Sequence, residues 1–139
     1  MNCAFCKLDP KRNKVIYEGK HVYVFPSNPR LVEGHLLVIP KRHIEKPSEM
    51  TAEERKELFD TVLAFQDKIL AKIAKGCDIR ENYRPFQNED DLKVHHIHFH
   101  LIPRELNDEI YDAYEKHQTR VFKMMSEQQM AKSLEMFKK

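Results

Sequence analysis

Between Val94 and Ile102, histidine and apolar side chains alternate: His96, His98 and His100 take every second position, Ile97, Phe99 and Leu101 lie between them, and Pro103 closes the run. Successive side chains of a strand point to opposite faces, so this pattern predicts a strand over Val94 to Ile102 with one core face and one row of imidazoles. Three imidazoles on one face carry polar nitrogens that need a ligand, a metal, water or one another. A row satisfied by solvent or by its own members is the plainest reading. The two functional readings are a three-histidine metal centre and a phosphate site with an imidazole nucleophile. Residues on one strand face lie roughly 7 Å apart, which is awkward for three ligands on one small ion and suits a row along a polyphosphate. Spacing therefore favours the phosphate site.

The rest of the chain supplies a setting for such a strand. Val15-Ile16-Tyr17 and His21 to Phe25 are β-branched and aromatic, and Glu18-Gly19-Lys20 between them predicts a hairpin, closed by Pro26 and Pro29. Leu36-Leu37-Val38-Ile39 is an unbroken apolar run ending at Pro40, the mark of a fully buried strand. From Ser48 to Lys75 the period becomes helical, with Leu58, Val62, Phe65, Ile69 and Ile73 as a stripe for core packing, Thr51-x-x-Glu54 as a capping box and Gly76 as a stop. A further strand is expected over Tyr83 to Gln87, interrupted by Pro85, and Ser126-x-x-Gln129 is placed to cap a final helix with Met130, Leu134 and Phe137 on its apolar side. Strands around one central helix with short connections predict an antiparallel α+β domain.

At 139 residues the chain is sized for one domain with a core. Its 24 basic and 22 acidic side chains are intermixed, without the basic stripe of a nucleic-acid-binding module, so no nucleic-acid partner is expected. Neither a signal-peptide h-region nor an apolar run of membrane-crossing length is visible, so a cytoplasmic location and no membrane partner are expected. In that compartment thiols stay reduced, and Cys3-Ala4-Phe5-Cys6 reads as half of a metal site or a redox pair rather than a disulfide. Cys77, His21, His95 and His117 have no evident partner and are assigned to packing or surface.

Residues His96 to Ile102 followed by Pro103-Arg104 resemble the signature of the histidine-triad family, His-x-His-x-His and two apolar residues. Gly34-His35-Leu36-Leu37-Val38-Ile39-Pro40-Lys41-Arg42-His43 is similar to the family's upstream strand, and Tyr83-Arg84 with Asn88-Glu89 to the strand and Asn-containing corner before the triad. The resemblance spans Cys3 to Arg104. It implies a histidine-triad domain over residues 1–104 with a helical extension over 105–139 packed on the same domain. It also implies a five-stranded antiparallel sheet with a central and a C-terminal helix, paired into a homodimer.

The same resemblance implies roles. His98 would attack the α-phosphorus of a purine nucleotide derivative and carry a covalent nucleotidyl group that water then removes. His100 would contact the phosphate, His35 would set the position and tautomer of its neighbours, and Asn88 would lie near the phosphates or ribose. A neutral imidazole is a good nucleophile near pH 7, and a dense row of donors stabilises phosphoryl charge. The expected substrate class is a purine mononucleotide derivative, such as a phosphoramidate or a nucleotidylated small molecule. The chain departs from the family in three places. Asp91-Leu92-Lys93 stands where many members have Gly-Gln-Ser/Thr, the corner after Asn88 is shorter, and Ser27, with Asn28 beside it, stands at the usual ribose-binding acid. In bacterial-type members an N-terminal cysteine pair binds structural zinc with two histidines, which implies Cys3, Cys6, His43 and His96 as a closed Cys₂His₂ set. A nucleotide-binding interaction protein with little turnover and a metal-dependent hydrolase are the alternatives.

Overall fold

The computed structural model describes residues 3–138, which form two compact units, one ending at Leu106 and the other beginning at Asn107. The first is built on a five-stranded sheet in the order β1-β2-β3-β5-β4, every neighbouring pair antiparallel. The strands are β1 (Tyr17–Glu18), β2 (Val22–Pro26), β3 (Leu36–Pro40), β4 (Gly76–Arg80) and β5 (Phe99–Arg104). The expected hairpin is present, with Tyr17 opposite Val24 and Glu18 opposite Tyr23. All five residues of β3 are buried, as an unbroken apolar run requires of a central strand.

Two expectations give way. Tyr83 to Gln87 form no strand, and Gly76 opens β4 instead of merely ending the helix. Proline at position 85 lacks a donor for the ladder, whereas Gly-Cys-Asp-Ile-Arg, half-exposed and charged, is the sequence of an edge strand whose apolar alternation is confined to Cys77 and Ile79. The histidine strand is also shorter than its alternation suggests, because pairing begins only at Phe99. His96 and His98 precede the ladder, and only His100 lies in it.

Helix α1 (Ala52–Lys72) crosses one face of the sheet, following a 3₁₀ turn over Pro47–Glu49. Its Leu58, Val62 and Ile69 are buried against Val22, Val24, Leu36, Val38, Phe99 and Leu101, the alternate residues of three strands. On the other face Phe25, Leu37 and Ile39 are covered by Cys3 and Phe5 of the N-terminal segment. Leu37 pairs with His100, and His100 with Arg80, so this second face is also the face of the imidazoles. Among the described residues no helix is long and apolar enough to cross a membrane. In the second unit a π-helical turn, Tyr111–Glu115, runs into α2 (Lys116–Gln118), and α3 (Glu127–Met136) follows. Ser126 Oγ accepts from Gln129 N at 3.1 Å, the cap its spacing predicts.

The start of α1 is locked to the exit of β3. Thr51 Oγ1 accepts from Glu54 N at 3.1 Å and Glu54 Oε1 accepts from Thr51 N at 2.8 Å, completing the capping box. Arg42 donates to both Glu54 oxygens, at 3.1 and 2.8 Å. This hydrogen bonding from Arg42 holds the buried Glu54 carboxyl down to about 2. A depressed folded pKa stabilises the fold at pH values above the unfolded carboxylate range, and that stability is lost as pH falls toward the folded value. Glu54→Gln is expected to cost about 2 kcal/mol at neutral pH, discounted because Arg42 is half exposed, and to flatten the loss of stability between roughly pH 5 and 2. Denaturant titrations across that range read both effects, and an unchanged acid limb would contradict the assignment.

Candidate active site and metal cluster

Gly34 delivers the first imidazole. Its φ of +83° suits glycine, and a Cβ there would meet Ile73 and Pro103 side chains at 3.1 Å, so the chain turns tightly and presents His35 just before β3. His35 Nδ1 lies 3.0 Å from the Leu31 backbone nitrogen, and His35 Nε2 lies 2.9 Å from His100 Nδ1. The ring centroids of His100 and His98 are 5.0 Å apart, and His98 Nδ1 is 2.8 Å from the carbonyl oxygen of His96.

These partners dictate tautomers. A backbone N–H only donates, so His35 Nδ1 accepts from Leu31 and the His35 proton sits on Nε2. That proton is donated to His100 Nδ1, which leaves the His100 proton on Nε2. A carbonyl only accepts, so His98 carries its proton on Nδ1 and keeps a bare lone pair on Nε2. The sequence of bonds holds only if the rings are neutral, and the environment makes them so. Desolvation, then the Arg80 guanidinium and His98, pushes His35 down to about 4. Desolvation, then His98, His35 and Arg80, pushes His100 down to about 3. Burial lowers His98 as well. The row is therefore His98, His100 and His35.

His96 lies on the same face, against Phe5 as His98 does, but its ring turns to the cysteines and away from the other imidazoles. Because it precedes the ladder, its buried ring is free to turn toward the N-terminal segment. His96 Nδ1 lies 3.5 Å from both Cys3 Sγ and Cys6 Sγ, and Cys6 Sγ lies 3.2 Å from His43 Nδ1. The four donor atoms all fall within 4.8 Å of one another. Bonds of about 2.3 Å to sulfur and 2.0–2.1 Å to nitrogen in a tetrahedron give S···N edges of roughly 3.5 Å, so the donor set fits a four-coordinate ion. The imidazoles are prepared for it. His96 Nε2 donates to the Pro40 carbonyl at 2.8 Å and His43 Nε2 faces Glu45 Oε2 at 3.2 Å, which leaves both Nδ1 lone pairs for a metal. Desolvation and the adjacent Cys3 push the Cys6 thiol up to about 11, a penalty that a bound cation reverses.

The substrate-side candidates are less gathered. Ser27 donates its hydroxyl to the Pro29 carbonyl at 2.8 Å, and its backbone N–H donates to the His35 carbonyl at 2.9 Å. The Asn28 carbonyl accepts from Arg12 Nε at 2.9 Å, and Asn88 sits exposed on the loop before the triad. That loop is ordered by Asp90, whose Oδ1 accepts from Leu92 N at 2.7 Å and Lys93 N at 2.9 Å. Two residues beside the histidines were not singled out by sequence. Arg12 joins the loop of Asn28 to the loop before the triad, because its Nη2 also donates to the Asp91 carbonyl at 2.9 Å. Arg80 faces His100 across the ladder, and its 3.9 Å approach to Asp78 is loose because Arg104 holds that carboxylate at 2.6 Å. Only the identification of β4 as a strand brings Arg80 to the imidazole face.

The HIT domain family model matches residues 10–107. The chain is 39% identical over 114 residues to Protein hit of Bacillus subtilis, covering 74% of this chain and 71% of that protein. It is 31% identical over 107 residues to adenosine 5'-monophosphoramidase HNT1 of Saccharomyces cerevisiae, covering 73% of this chain and 62% of that protein. Among solved structures it is similar to a HIT family protein from Bacillus anthracis, with a TM-score of 0.67 at 26% identity over 99% of this chain and 98% of the other. A Zn-bound histidine triad family protein from Mycobacterium smegmatis superposes with a TM-score of 0.64 at 26% identity, covering 78% of this chain and 79% of that one.

Proposed function

Since the chain belongs to the HIT domain family, we propose that it is a nucleotide hydrolase or transferase that attacks the α-phosphate of a purine nucleotide derivative with His98. The His98 Nε2 lone pair forms the N–P bond as the bond from phosphorus to the leaving group breaks, and the leaving group departs with its electron pair. Water then attacks the nucleotidyl-histidine, the P–N bond breaks and the nucleotide is released. His98 becomes cationic while nucleotidylated, and the His96 carbonyl oxygen on its Nδ1–H stabilises that charge. His100 Nε2–H is directed at phosphoryl oxygen, and His35 holds the His100 proton on that nitrogen. Ser27 and Asn28 are assigned to the ribose side and Asn88 to the phosphates or ribose. The observation that carries the reading is the pairing of a neutral imidazole with a bare Nε2 next to an imidazole whose Nε2 is a donor. Mass spectrometry of protein acid-shielded and quenched during turnover of an adenosine phosphoramidate should find a nucleotidyl group on His98. Tight nucleotide binding with no adduct would favour a binding protein instead.

Arg80 gives that reading a handle on the leaving group. A guanidinium opposite His100 stabilises negative charge that a polyphosphate leaving group develops and a neutral amine does not. Arg80→Ala is expected to reduce kcat/KM about tenfold or more for an adenosine polyphosphate, at roughly 1.5–3 kcal/mol for a charged hydrogen bond, and little for a phosphoramidate. Equal losses on both substrates would remove Arg80 from leaving-group recognition.

We assign zinc to the Cys3, Cys6, His43 and His96 cluster. Four protein ligands leave no open position, so the ion supplies cross-linking rather than Lewis acidity. We propose a homodimer, supported by β4 at an edge of the sheet with Ile79 exposed on it and by the exposed Phe59, Leu63, Leu70 and Ile73 of the helical layer. Light scattering should give twice the chain mass at micromolar concentration, and a monomer there would remove the dimer.

A further inference from the structure

We infer that the metal knuckle at Cys3–Cys6 positions the nucleophile: through His96 and Phe5 it fixes the tautomer and the ring of His98, so that the ion controls turnover as well as anchoring the chain. The inference rests on His98 acting as the nucleophile.

His96 belongs to both sites at once. Its Nδ1 stands 3.5 Å from each sulfur, while its own carbonyl oxygen accepts the His98 Nδ1 proton at 2.8 Å. The segment carrying these atoms precedes β5 and has no ladder to hold it. Its other ties include the Ile97 side chain buried in the core, the Ile97 N–H to the Ile44 carbonyl at 2.7 Å, the His95 N–H to Glu89 at 3.2 Å and the His96 ring to Pro40 at 2.8 Å. The direction of the His96 carbonyl depends on where the His96 ring is pinned.

Phe5 supplies the second link. It lies between the two cysteines, is buried, and stands edge-on to His98 at 5.3 Å, to His96 at 6.0 Å and to Phe25 at 5.6 Å. Within the knuckle, backbone bonds of 3.2 and 3.3 Å from Cys6 and Lys7 to the Cys3 carbonyl close the turn that presents it. Removing the ion releases both thiols and leaves the His96 ring to its Pro40 bond, and the Phe5 wall against His98 loosens with the thiols. A histidine freed from a single acceptor can carry its proton on either nitrogen, and a proton on Nε2 occupies the lone pair that must attack phosphorus.

The test uses the full-length zinc-loaded protein labelled with ¹⁵N, with long-range ¹H–¹⁵N spectra of His98 recorded before chelation, after it and after zinc is returned. The loaded protein should show His98 protonated on Nδ1 alone. The stripped protein, still folded by circular dichroism, should show protonation spread to Nε2 and a kcat at least tenfold lower with a smaller change in KM, both reversed by zinc. If stripping unfolds the chain, Phe5→Leu decides. It should retain one zinc per chain yet shift the His98 signals and lower kcat severalfold. An unchanged His98 tautomer in folded stripped protein, or unchanged spectrum and kcat in zinc-loaded Phe5→Leu, overturns the coupling. A tautomer shift with turnover untouched would overturn the ion's control of turnover and remove His98 as the nucleophile.

Discussion

Replacing His98 by alanine is expected to lower turnover by roughly four orders of magnitude or more while nucleotide binding persists, because the attacking atom is lost and the surrounding donors remain. The size follows from the division of labour in the row. His98 alone presents an unprotonated nitrogen, since its Nδ1 proton is committed to the His96 carbonyl. His100 acts through one Nε2–H, so His100→Ala removes a single stabilising donor, worth about 10²–10³ in rate by comparison with other oxyanion donors. His35→Ala leaves both reacting groups in place but frees the His100 tautomer, and its loss should be smaller than that of His100→Ala. Steady-state kinetics on an adenosine phosphoramidate, with calorimetry of nucleotide binding to each variant, reads the order. Near wild-type turnover in His98→Ala, or an adduct on another residue, would sink the mechanism.

The two sites were legible in the sequence to different depths, for physical reasons. The histidine alternation revealed the imidazole face because Phe99, His100 and Leu101 do lie in a paired strand. Alternation alone did not separate His96, whose ring turns to the cysteines, from His98 and His100 on the same face. The metal set needed the resemblance, because Cys3 and His96 are 93 residues apart and no local period links them. β4 escaped since an edge strand bonded on one side tolerates aspartate and arginine, and two alternating apolar residues, Cys77 and Ile79, are too short a pattern to mark a strand. With β4 went Arg80, a residue given meaning only by its register against His100. Capping boxes at Thr51 and Ser126 were read correctly because their chemistry is complete within four residues.

Losing the metal should be the largest single blow to stability. Cys3 is buried with Phe5, Phe25, Leu37 and Ile39, so the ion ties the cover of one sheet face to His43 and His96 on the sheet side. Without it the short N-terminal segment must hold that apolar cover by packing, and only weak hydrogen bonds join the two thiols to the two imidazoles. Freshly purified protein is expected to contain about one zinc per chain by elemental analysis, and Cys3→Ser to contain far less. Structural zinc supplies up to about 10–16 kcal/mol in domains that fold only around it; here α1 and the sheet provide a core of their own, so a loss of roughly 3 kcal/mol is expected. At roughly 3–4 °C per kcal/mol for a chain of this size, Tm should fall by about 10 °C. Chelation of the wild-type protein should produce the same fall and leave Cys3→Ser unmoved. Purified protein without bound metal, or a Cys3→Ser variant as stable as the wild type, would show that the cluster holds no structural ion.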